Sequence, residues 1–280
     1  MRTLVAVLLV CFLAIAVTSI SSTYRPAHAQ SLVLYDAFTG PPLINTTRWV
    51  GREEIDATLP PPQGAAEIFR GSGGGQLVLS HRIYSNPALD ESEIYHLMAL
   101  DVRNPATVAS TILQATVTIR GYEFQPCPDR FSRVLARVTG TFFNTAVPEP
   151  GKFTNDVAAR FEVFRDNAST DAPNIFGVRA RVRRCIDAAC NNAETLATSL
   201  GTVKIGQPTT IRMRWDEPSA RFLFKRDRNP EVQIVYPWSD DAPPSIPRKA
   251  LVVMSDLFNR SACTGMASII AAFDDVFVNP

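Results

Sequence analysis

From residue 109 onward the chain is a succession of short β-forming runs cut by turn residues, and nothing else in it limits the fold as strongly. Residues 112–122, 134–143, 157–165, 176–184, 198–205, 209–215, 221–226, 232–236 and 250–256 alternate polar and apolar side chains or are rich in β-branched ones. Proline, glycine, asparagine and aspartate at 148–151, 171–174, 217–219, 229–230 and 241–244 separate them. Many short strands with scarcely a helix signal mean an antiparallel sandwich or a closed barrel. The last run, 267–280, carries no glycine, and its apolar series Ile269, Ile270, Phe273, Val276, Val278 is broken by Asp274 and Asp275. It predicts a core strand with a metal or a turn where the two charges fall. Residues 32–38, with Asp36 close to Phe38, are the expected partner, so that the two ends of the fold pair and close a sheet.

Residues 1–29 read as a secretory signal peptide: Arg2, an apolar run from Leu4 to Val17, then Ala27-His28-Ala29 as a small-residue cleavage site. The run is shorter than the roughly 20 residues a bilayer span needs. The expectation is export, with 30–280 forming one domain outside the cytoplasm. Removing the leader takes away Arg2 and Arg25 and leaves 26 of the 28 Lys and Arg against all 27 acidic residues, a net charge of −1. That balance argues against nucleic acid as a partner. Four cysteines remain and allow three pairings. The short loop favours Cys185–Cys190, with Cys127–Cys263 as the second bridge; a zinc site is disfavoured because the spacing is not C-x-x-C and only His81 and His96 accompany them.

The proline run at 60–62 predicts an exposed loop. Gly71, Gly73, Gly74 and Gly75 precede a strand without Gly-Lys-Ser/Thr, so they predict a hairpin connection and not a phosphate loop. Residues 92–102 fit either a buried strand or one short helix.

Asp36, Phe38 and Trp49 near the start, with the closing Phe273-Asp274-Asp275-Val276-Phe277-Val278, resemble the concanavalin A-like lectin/glucanase superfamily. The resemblance implies an all-β, single-domain antiparallel jelly roll with any carbohydrate site on one curved face. It also implies a structural calcium at Asp274, with Asp36 as a second candidate ligand; calcium takes six to eight oxygens, many from backbone. The hydrolases of that superfamily carry Glu-x-Asp-x-x-Glu on one strand. Glu54-Ile55-Asp56 begins such a motif without completing it, and Glu91 and Glu93 share a face without the rest. Arg160-Phe161-Glu162 matches an Arg-x-Glu fragment of alginate-lyase-type jelly rolls whose companion Gln-Ile/Val-His is missing.

Arg179, Arg181 and Arg183 alternate with Val178, Ala180 and Val182, and Arg212 and Arg214 alternate with Ile211, Met213 and Trp215. Paired in a meander, these runs would form one basic surface with Arg160 and Glu162 at its edge. Guanidinium groups bind carboxylate or sulfate bidentately, and Trp238 would supply a stacking platform for a sugar. The sequence-based expectation is an exported lectin-like module that binds carbohydrate or another extracellular partner without catalysis. The alternatives are a polysaccharide-degrading enzyme, hydrolase or lyase, on the same fold, and a structural envelope protein. Two carboxylates converging in one groove would favour the enzyme.

Overall fold

The computed structural model describes residues 31–40, 44–50, 67–84, 94–125, 131–257 and 265–279. Within them the chain forms β1 (Val33–Asp36), β2 (Trp49–Val50), β3 (Glu67–Gly73), β4 (Gln76–Tyr84), β5 (Ile94–Val102), a four-residue helix α1 (Pro105–Val108), β6 (Ile112–Gln125), β7 (Ser132–Asn144) and β8 (Asp156–Asp166). There follow β9 (Ile175–Cys185), β10 (Ala193–Lys204), β11 (Thr209–Asp216), β12 (Arg221–Arg226), β13 (Val232–Val235), β14 (Lys249–Leu257) and β15 (Met266–Val278). Two antiparallel sheets result: β13-β12-β11-β6-β15-β4-β3, with β1 added on β15, and β10-β9-β8-β7-β14-β5-β2. Of the sandwich and the closed barrel that the strand pattern allowed it is the sandwich, and it is the jelly roll that the resemblance implied.

The final strand lies in the middle of the first sheet. β6 runs along one side of β15, while β4 pairs with its first half, up to Phe273 against Leu77. β1 pairs with the second half, Val33 opposite Val278 and Asp36 opposite Val276. The register between β15 and β6 slips after Asp274, and Asp275 there has φ 46°. The charge pair seen in the sequence therefore sits at a β-bulge. Asp36 fixes the entry of the chain: one oxygen accepts the Phe38 backbone N–H at 2.8 Å, and the other accepts the Trp49 indole N–H at 2.7 Å. Trp49, 1 % exposed, stacks on Phe38 with centroids 5.8 Å apart.

The core lies between the sheets. Phe161 of β8 meets Phe224 of β12 edge-on at 5.9 Å, and Phe143 of β7 stacks on Trp215 of β11 at 5.4 Å. Inward residues such as Val163, Val178, Ile211 and Phe273 have no exposed surface to speak of. Residues 92–102, open between helix and strand in the sequence, supply β5; a place between β14 and β2 decides it. Gly74 and Gly75, with φ +60° and +79°, make the tight β3–β4 hairpin turn that only residues tolerant of positive φ allow. Cys185 and Cys190 are disulfide-bonded as expected. Cys127 and Cys263 lie outside the described residues, as do Glu54, Asp56, Glu91, Glu93 and the proline run at 60–62.

Candidate functional site

Alternation on β7, β8, β9 and β14 sends one set of side chains into the core and the other onto the outer face of the second sheet. On that face Glu162 stands opposite Arg137 on one side and Arg179 on the other. Arg160 is opposite Arg181, and Ala158 is opposite Arg183. On the far side of β7, Asp256 is opposite Arg133. Small residues, Ala158 and Thr139 among them, lower the floor between these long side chains. The result is a groove of about 590 Å³ with the Cys185–Cys190 loop at its rim.

Glu162 is wholly buried. Its Oε2 accepts from Arg179 Nε at 2.7 Å, and the guanidinium nitrogens of Arg137 and Arg181 lie 3.7 and 3.8 Å from its oxygens. Burial alone would raise its pKa, but Arg179, Arg137, Arg160 and Arg181 outweigh it and hold the carboxyl at about 2. Arg137, 6 % exposed, is lowered to about 10 because burial is only partly offset by Glu162. Asp256, 1 % exposed, behaves in the opposite way from Glu162. Burial raises its pKa, its ion pair with Arg133 opposes the rise, and the negative charge of Glu162 adds to it. Glu162 Oε1 and Asp256 Oδ1 are both buried and accept no hydrogen bond from the described residues. The groove thus holds two buried carboxyls whose pKa values are pushed in opposite directions, Glu162 down and Asp256 up, a separation of the kind that acid–base chemistry uses.

A second cavity, about 760 Å³, opens at one end of the sandwich between Phe142, Trp215, Pro105 and Pro244. Lys249 reaches its floor across Gly140, where any Cβ would sit 2.4 Å from the lysine Cδ. Its ammonium donates to the backbone oxygens of Val108 and Thr141 at 2.9 and 2.8 Å and lies 4.0 Å from the Phe142 ring centre. Burial lowers its pKa to about 7. The acids at this rim, Glu217, Asp240 and Asp241, are exposed. The outer groove is therefore the better-built candidate site.

Sequence reasoning grouped the arginines in part correctly. Arg160, Glu162, Arg179, Arg181 and Arg183 do come together on one face. Arg212 and Arg214 do not join them: β11 leaves the second sheet after β10 and pairs with β6 and β12 in the first. There Arg212 and Arg214 share Glu231 at 2.6 and 3.4 Å on the opposite outer face of the sandwich. The single basic surface is corrected to two separate ones. Trp238 does not line the groove; its indole donates to Glu194 at 2.9 Å and its ring stacks on Tyr236 at 6.3 Å. Asp256 was missed as a site residue. Its signal was an acid closing an otherwise apolar strand, the same signal that drew notice to Asp274.

As for calcium, both oxygens of Asp36 are already occupied by protein donors. Asp274 accepts the Asp275 N–H at 2.7 Å, and burial raises its pKa. Among the described residues no cluster of three or more His, Cys, Asp and Glu could hold a metal ion. No helix among them is long and apolar enough to cross a membrane.

No protein-family model matches the chain, and no curated protein matches it. Among solved structures it is similar to the β-glucanase of Bacillus licheniformis, with 10 % identity, 88 % of this chain and 96 % of that one covered, and a TM-score of 0.45. It is similar also to the laminarinase of Flavobacterium sp. UMI-01, with 10 % identity, 89 % and 100 % coverage and a TM-score of 0.43. A third is the κ-carrageenase of Pseudoalteromonas carrageenovora, solved with a κ-carrageenan oligosaccharide, with 12 % identity, 90 % and 99 % coverage and a TM-score of 0.39. These are proteins of the concanavalin A-like jelly-roll architecture that the terminal motifs resemble. The expectation of a lectin-like module without catalysis is corrected here: the similar structures are polysaccharide-cleaving enzymes by name, which is the alternative reading. At these scores the likeness carries no mechanism, and the chemistry is argued from the groove alone.

Proposed function

We propose that the protein is an exported polysaccharide-degrading enzyme that works in the groove on the outer face of the second sheet, with Asp256 and Glu162 as its carboxyl pair. One observation carries this reading: two buried carboxyls whose pKa values are pushed in opposite directions line the same groove, each with an oxygen that no described residue hydrogen-bonds. In glycoside hydrolysis one carboxyl protonates the leaving oxygen while the other stays ionised beside the sugar. Asp256, whose proton is retained to higher pH by burial, suits the first role. Glu162, held ionised by its arginines, suits the second.

The arginine excess in the groove favours a second route, β-elimination on a uronate, because cations stabilise the carbanion that forms beside the sugar carboxylate. The two routes leave different products: a saturated new end from hydrolysis, an unsaturated ultraviolet-absorbing one from elimination.

The test is release of new reducing ends by the mature protein from a panel of neutral, uronate and sulfated polysaccharides, with Asp256→Asn as the variant. Loss of a general acid should cost about a hundredfold to ten-thousandfold in rate. A folded wild type that cleaves none of the panel, or an Asp256→Asn protein with full activity, sinks the reading.

A further inference from the structure

The groove carries more positive charge than its own carboxylates neutralise. Arg133 is committed to Asp256, Arg248 to Asp101 at 2.5 Å, and Arg137, Arg179 and Arg181 converge on Glu162. Arg160 and Arg183 also line the groove, yet neither has a carboxylate within ion-pair distance among the described residues. The Nε of each is buried and makes no hydrogen bond among the described residues. Both are pushed toward lower pKa, by burial first and then by neighbouring arginines: Arg137 and Arg183 act on Arg160, and Arg181 acts on Arg183. Arg160 also stands directly across from Arg181, a like-charge pairing that a sheet tolerates poorly.

The register shows what these two could hold together. Arg183 is opposite Ala158, so it is the diagonal neighbour of Arg160 across β8 and β9. Diagonal partners on one face stand roughly 7–8 Å apart at their backbones, a separation that lets two guanidinium forks close on one anion. Ala158 leaves open the space between them. We infer that Arg160 and Arg183 form an anion subsite of the groove, and that the polymer it takes carries a carboxylate or sulfate group on the sugar bound there. This deepens the enzymatic reading by naming the substrate class, and it rests on that reading for the groove's use.

Affinity electrophoresis of the mature protein through gels containing polygalacturonate, dextran sulfate or a neutral β-glucan tests it. Retardation by at least one of the two polyanions is expected, weakening as salt rises; which of them retards more tells carboxylate from sulfate. Arg160→Ala with Arg183→Ala should weaken that binding tenfold or more, since bonds to charged groups are among the stronger ones. Arg212→Ala with Arg214→Ala, on the opposite face, should leave it unchanged. Arg160 adds to the positive field on Glu162 but forms no ion pair with it, and Arg137, Arg179 and Arg181 remain, so the double variant is expected to fold; a thermal melt checks this. Binding of the neutral glucan as tight as that of the polyanions, or full polyanion binding by the Arg160/Arg183 variant, overturns the subsite. Polyanion binding without cleavage supports the subsite and removes the enzyme; cleavage of neutral glucan with no polyanion binding does the reverse.

Discussion

The same sequence device, arginine at every second position of a strand, has two outcomes in this molecule. On β11, Arg212 and Arg214 lie 28 % and 31 % exposed and share Glu231 from beyond the edge strand, in contact with water. On β9, Arg179, Arg181 and Arg183 face a floor where Glu162 and Arg137 are buried. One face wears its charges as ordinary solvated pairs; the other has drawn them into a pocket where removing any member leaves others stranded. The difference lies in the neighbours: β8 offers Glu162 and Arg160 as cross-strand partners of β9, whereas β6 offers Gln114 and Thr116 to β11.

The comparison breaks most directly through Glu162→Gln. It leaves Arg137, Arg179 and Arg181 without their shared counter-charge and should cost about 3–5 kcal/mol in denaturant unfolding; a loss below about 1 kcal/mol would place this cluster with the solvated face. The acid limb of stability should report the same residue. A folded pKa of about 2 against the ordinary 4.5 means the unfolded chain binds the extra proton between those values. The stabilisation is thus full above about pH 4.5 and drains as pH falls toward 2, and Glu162→Gln should flatten that limb.

Lys249 sharpens the contrast, being a buried cation with carbonyl and ring partners and, among the described residues, no paired carboxylate. Its folded pKa of about 7 lies below the ordinary 10.5, so the unfolded chain holds the extra proton between them. Stability should rise with pH across that window, by at most about 1.4 kcal/mol per pH unit, and Lys249→Met should abolish the rise. Replacing Cys185 and Cys190 by serine frees the groove rim and should cost about 2 kcal/mol for so short a loop, with weaker polyanion binding as the second readout. Glu231→Gln should be the mildest change, under about 1 kcal/mol. If it matched Glu162→Gln, the two faces would not differ as described.

The sandwich was legible because period-two alternation and turn residues are local signals. So were the pairing of 32–38 with the last run, the Gly74–Gly75 turn and the Cys185–Cys190 bridge. The site was legible only by halves. Arg160, Glu162 and the β9 arginines meet because β8 and β9 are consecutive and pair as a hairpin. Arg212 and Arg214 were misplaced because nothing near residue 205 announces that the chain changes sheets there. Asp256 was overlooked because it reaches the groove from β14, ninety-odd positions after Glu162, and non-local adjacency leaves no mark in one sequence. Trp238 looked free because Glu194, which ties it down, arrives from a distant edge strand.

The placement of β15 has a bearing on how the molecule comes into being. Because it separates β6 from β4 and β1, the first sheet consists of disconnected pieces until this strand, the last in chain order, slots between them. Closing contacts so remote along the backbone is slow, so the polypeptide stays open and threadable through most of its assembly.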